Sequence, residues 1–154
     1  MPRQDAAVVG NVFWLGALNA IGDLARDQAE DVLFGLERKE FVIRTRRSSV
    51  AGEAEYAFRH ILLRDVAYGV IPRDARGEKH RLAAAWIESL GRTEDHAEML
   101  AHHYSSALEY AAAAGRRDNV LVERARVALR AAGDRALTLA SYSAAARFYG
   151  AALE

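Results

Sequence analysis

Apolar positions recur along most of the chain at the three-to-four-residue spacing of helices that bury one face. The first series runs through Val8, Val9, Val12, Phe13, Leu15, Leu18 and Ile21, punctuated by Gly10 and Gly22. Ala29, Val32, Leu33 and Leu36 form a second buried stripe. Asp27 is placed to cap that helix, with Glu30 three residues on, close to a capping box. The period then changes. Phe41-Val42-Ile43-Arg44-Thr45-Arg46 predicts a strand, Ser48 to Gly52 a turn, and Glu55-Tyr56-Ala57-Phe58 a returning strand. Phe58, Leu62, Val66 and Ala67 restore helical spacing and predict one apolar stripe, with Arg59, Arg64 and Asp65 off it.

After Pro72 the pattern is helical throughout. Residues 74–90 set Leu82, Ala85, Trp86 and Leu90 on one face, with Gly91 as a stop. Residues 95–114 carry Ala97, Leu100, Ala101, Tyr104 and Leu108, and Gly115 ends the run. Residues 119–139 and 142–153 predict a helix pair bending near Ala140-Ser141. In that pair Leu129, Ala132, Gly133, Ala136, Ala140, Tyr142, Ala145, Tyr149 and Ala152 match the spacing of a tetratricopeptide repeat. The repeat's tryptophan and closing proline are missing. Small residues at these places let antiparallel helices approach closely. One repeat cannot cover its own faces, so an open end that self-associates is expected at residues 142–154.

The resulting fold class is mainly α: a winged-helix domain with a short β-hairpin at 1–72, its pattern starting near residue 6, then an incomplete TPR-like helical segment at 73–154. Composition agrees, because alanine abounds and proline occurs only at Pro2 and Pro72. About half the residues are hydrophobic, which predicts a folded chain. Lysine plus arginine match aspartate plus glutamate, 21 against 21, so there is no general attraction to nucleic acid or anionic membrane. The absence of cysteine excludes disulfides and thiolate metal sites. No apolar run nears the roughly 20 residues of a membrane helix, and no signal peptide is legible, so a cytoplasmic address is expected.

Several motifs in order resemble one known family. Ala6-Ala7-Val8-Val9-Gly10, Phe13-Trp14, Glu53-Ala54-Glu55-Tyr56-Ala57-Phe58, Arg59-His60, Leu63-Arg64-Asp65-Val66-Ala67-Tyr68 and Ala101-His102-His103-Tyr104 carry the likeness. Together they resemble a region of the bacterial multidomain STAND ATPases (signal transduction ATPases with numerous domains). Many of these are fused to class III adenylate or guanylate cyclases, and others are LuxR-type regulators. The resemblance implies a non-catalytic regulatory module that couples the nucleotide state of an ATPase to a repeat array. Its partners would be an upstream nucleotide-binding domain and downstream repeats. ATP or ADP would be bound by the parent protein, with no cofactor in this chain. The chain has no phosphate loop and no cyclase domain, so it reads as a piece of a longer protein with a frayed N-terminus and no catalysis of its own.

In STAND ATPases a winged-helix histidine contacts the β-phosphate of ADP, and the resemblance implies that role for His60. Here Arg59-His60-Ile61 stands where the family often has Met-His-Asp. A histidine at a helix mouth suits an anion; the plainer alternative is packing at a strand–helix junction. Arg59, Arg64 and Asp65 are candidates for an interdomain interface, against ordinary surface pairing. His96, Glu98, His102 and His103 lack the H-E-x-x-H spacing, although Glu98 and His102 lie four apart. They are read as helix-surface and interface residues, and no metal is assigned. Arg44, Arg46 and Arg47 with Ser48 and Ser49 make a basic ribbon that could follow phosphates. The helix that would enter a groove begins Asp27-Gln28-Ala29-Glu30-Asp31 and is acidic. A DNA-binding winged-helix regulator and a free-standing helical interaction module are the alternative functions.

Overall fold

The computed structural model describes all residues from Met1 to Glu154 as two compact units, Met1–Ala75 and Arg76–Glu154. The chain is mainly helical, with one small antiparallel sheet. No helix is long and apolar enough to cross a membrane.

The first unit runs α1 (Pro2–Val9), β1 (Val12–Trp14), α2 (Leu15–Gly22), α3 (Arg26–Arg38), β2 (Val42–Arg44), β3 (Glu55–Phe58) and α4 (Ile61–Gly69). The sheet has three strands in the order β1-β3-β2. The hairpin expected from the sequence is present, and β1 extends it. Val12, Phe13 and Trp14 pair with Ala57, Tyr56 and Glu55, while Val42, Ile43 and Arg44 pair with Phe58, Ala57 and Tyr56. The helical reading of Val12 and Phe13 is therefore corrected. Gly10 takes φ +152°, which ends α1 and sends the chain out extended. Phe13 is fully buried, stacked on Tyr56 at 5.9 Å and tilted against Phe58 at 5.3 Å. Such cross-strand aromatic pairs stabilise a sheet too short to hold by backbone bonds alone.

Two further expectations change. The N-terminus is helical from Pro2 rather than frayed, because Ala6, Ala7 and Val8 are completely buried. Proline is well tolerated in a first helical turn. Asp27 lies inside α3 rather than capping it; Ala25 is the N-cap residue, and its N–H donates to the Gln28 side chain at 3.3 Å. Ala29, Leu33 and Leu36 are buried as the stripe predicts.

The second unit comprises the rest of α5 (Arg73–Ser89), a 3-10 turn at Thr93–His96, α6 (Ala97–Ala113), α7 (Asn119–Thr138) and α8 (Tyr142–Leu153). Alanine dominates its core: Ala84, Ala97, Ala101, Ala107, Ala125, Ala128 and Ala132 surround Ile87, Leu100, Tyr104 and Leu121. Small side chains bring the axes together. Asp118 caps α7 by accepting from the Leu121 N–H at 3.0 Å. Gly115 after α6 and Ala140 between α7 and α8 both turn the chain at positive φ. Arg124 of α7 donates to Tyr104 Oη of α6 at 3.0 Å and to Glu88 of α5 at 2.9 Å, linking three helices.

The buried face of α5 differs from the one expected. Gly77, His80, Ala83, Ala84 and Ile87 are buried, whereas Ala85 is exposed and Leu82, Trp86 and Leu90 are half-buried. Gly77 explains the choice: a Cβ there would meet Tyr110 Cβ at 3.0 Å, so α5 lies close to α6 along this face.

Candidate functional site

Two places bring chemistry-bearing residues together, one in each unit. In the first unit, β3 leads directly into α4 through Arg59 and His60. His60 occupies the N-cap with extended backbone, φ −137° and ψ 138°, and its side chain makes no capping bond. It is exposed, as is Arg59. Arg59 faces Glu40 at 3.8 Å, while its N–H donates to the Phe41 carbonyl. The Leu63 N–H donates to the His60 carbonyl, which opens the first turn of α4.

The stripe predicted for this helix is not the one it buries. Leu62 is 71% and Val66 68% exposed, and no residue of α4 is fully buried. Leu63, Arg64, Ala67 and Tyr68 are the half-buried positions. Arg64, expected off the apolar stripe, turns inward: its Nε donates to the Ala7 carbonyl at 3.0 Å and its guanidinium lies 4.9 Å from the Tyr68 ring centre. Ala7 is in the last turn of α1, where carbonyls lack helical partners, so Arg64 caps α1 from α4. Asp65 is exposed and receives Arg64 Nη1 at 3.2 Å. Among the three interface candidates, Arg64 is thus committed within its own unit.

Beside α4 is a shallow apolar groove of about 280 Å³, lined by Met1, Phe41, Phe58, Leu63, Val66 and Val70 among others. Ile61 and Val70 extend the exposed apolar surface, at 55% and 61%. The basic ribbon is also on the surface, with Arg44, Arg46 and Arg47 exposed, but so are Asp27, Glu30 and Asp31 of α3.

The second place lies between α5 and α6. His80, His102 and His103 come together so that one ligating atom from each falls within 4.8 Å of the others. His80 and His103 are buried and His102 is exposed. The two Nδ1 atoms of His80 and His103 are 2.9 Å apart, a hydrogen bond in which one ring donates and the other accepts. The Tyr110 ring stacks on His80 at 6.1 Å, and Arg76 Nη1 donates to Tyr110 Oη at 3.2 Å. His96 and Glu98 stand outside this cluster. His103 is wholly buried rather than on the helix surface. His80, 22 residues upstream, was not a candidate from spacing. The one local signal was the adjacent pair His102-His103.

Neither a protein-family model nor a curated protein nor a solved structure matches this chain.

Proposed function

We propose that the chain is a non-catalytic transmission module of a STAND-type ATPase, of the kind joined to adenylate cyclase domains, coupling nucleotide state to a repeat array. The exposed apolar face of α4, headed by the exposed His60, carries this reading. A helix with no fully buried residue has surface to offer a partner, and its N-terminus presents unpaired N–H groups to an anion. In this reading the nucleotide-binding domain covers Leu62, Val66 and the adjoining groove, and His60 meets the β-phosphate of ADP. Coupling follows if the ADP- and ATP-bound domain contact that face differently, since only differential affinity shifts an equilibrium.

The element order of the first unit, with strand order β1-β3-β2, supports a winged helix at residues 1–72. The α7–α8 hairpin, in which Gly133 leaves room for the Tyr149 ring, supports a TPR-like segment at 73–154. Its open end, with Leu139, Tyr142 and Leu153 exposed, is where a further repeat would stack. The exposed arginines of the ribbon favour a second reading, a DNA-binding regulator, which the acidic face of α3 opposes.

The test joins this chain behind a STAND-type nucleotide-binding domain and follows release of labelled ADP. His60→Ala and Leu62→Asp should each speed release at least about tenfold, the loss of roughly one charge-assisted contact or of the packed face. Release unchanged in both variants would refute the proposal.

A further inference from the structure

We propose that His80, His102 and His103 form a divalent-metal site in the second unit, taking zinc through three imidazole nitrogens. Consecutive helical residues diverge by about 100°, so a third group can lie near both His102 and His103 of α6 only where it sits between their directions. His80 of α5 does so: its ring is 5.2 Å from that of His103 and 5.7 Å from that of His102. Gly77, one turn earlier on α5, permits this approach.

Zinc–nitrogen bonds of about 2.0–2.1 Å at tetrahedral angles separate the ligating atoms by roughly 3.4 Å. The His80–His103 pair, at 2.9 Å, opens by about 0.5 Å to reach that spacing, and the three ligating atoms already lie within 4.8 Å of one another. The exposed ring of His102 marks the route of entry. Imidazole suits zinc, copper and nickel rather than magnesium or calcium. Three protein ligands leave a fourth position for water. Arg76 is the neighbouring cation, engaged with Tyr110 Oη and lying 5.9 Å from its ring centre. For both Nδ1 atoms to ligate, the proton held between them moves to Nε2 of its own ring, so the binding form is a pair of neutral Nε2–H imidazoles.

The experiment is titration of zinc chloride into the full, chelator-stripped chain, followed by calorimetry and by the shift in thermal midpoint. One equivalent should bind and raise the midpoint, because a ligand of the folded state stabilises it. His102→Ala, at an exposed position that leaves the core intact, should weaken binding at least tenfold, and His80→Ala should do the same where it folds. His96→Ala, outside the cluster, should leave binding unchanged. Less than one equivalent bound by the unaltered chain, or equal affinity in His102→Ala, would overturn the proposal.

Discussion

Glu55 ties three segments of the first unit together. Its carboxylate accepts from Trp14 Nε1 of β1 at 3.1 Å, from the Ser49 N–H and hydroxyl at 2.7 and 2.6 Å, and from the Thr45 hydroxyl at 3.2 Å. Burial acts to raise its pKa, but the donors from Ser49, Thr45 and Trp14 outweigh burial and hold it below the ordinary 4.5. A carboxyl depressed on folding adds stability above its unfolded pKa and loses it as pH falls through the folded value. Glu55→Gln should therefore be less stable than the unaltered chain at pH 7, with the gap narrowing below about pH 4.5. Urea midpoints across that range measure it, and a gap constant with pH would contradict the assignment. In the sequence Glu55 is only a polar residue in a strand. Its partners lie 6, 10 and 41 positions away, beyond the reach of any local pattern.

Among the elements, those with a long single period were legible: α3, α6, α7 and α8 start and stop close to where periodicity and glycine place them. Elements whose burial depends on a neighbour were not. The run from Val8 to Ile21 is apolar almost throughout, so helix and strand look alike, and β1 is fixed only by pairing with β3. On α5 the inner face is chosen by Gly77 and His80, which hydropathy counts as poor core residues. That choice also hid the histidine cluster. Glycines separate cleanly by environment. A Cβ on Gly133 would lie 2.7 Å from the Tyr149 ring, whose hydroxyl donates to Asp134, whereas one on Gly150 would meet nothing within 4 Å. Gly133→Ala should destabilise the α7–α8 hairpin by about 1–3 kcal/mol. Gly150→Ala, relieving backbone freedom in a helix, should be neutral or stabilising by up to ~1 kcal/mol. Thermal unfolding of the two variants compares them directly, and equal effects would show that the ring of Tyr149 moves aside without cost.

For the whole molecule, the exposed Leu139, Tyr142 and Leu153 leave the last hairpin with apolar surface. Under the alternative reading as a free-standing helical interaction module, the chain should self-associate through it. Sedimentation velocity over a wide concentration range should show a rising average mass, abolished by Leu153→Asp. A strictly monomeric profile throughout would exclude that mode of assembly. The order of strands has a different bearing, on how the protein comes to exist. The central strand of the sheet is the last of the three in the chain, with β1 and β2 each paired to it and not to each other. A ribosome delivering this chain from its amino end therefore releases both outer strands with no mate. They wait until Glu55–Phe58 emerges, and α1 waits longer still for Arg64. Within the first unit, the segment from α1 through β2 is consequently the part most in need of shelter from premature encounters during synthesis.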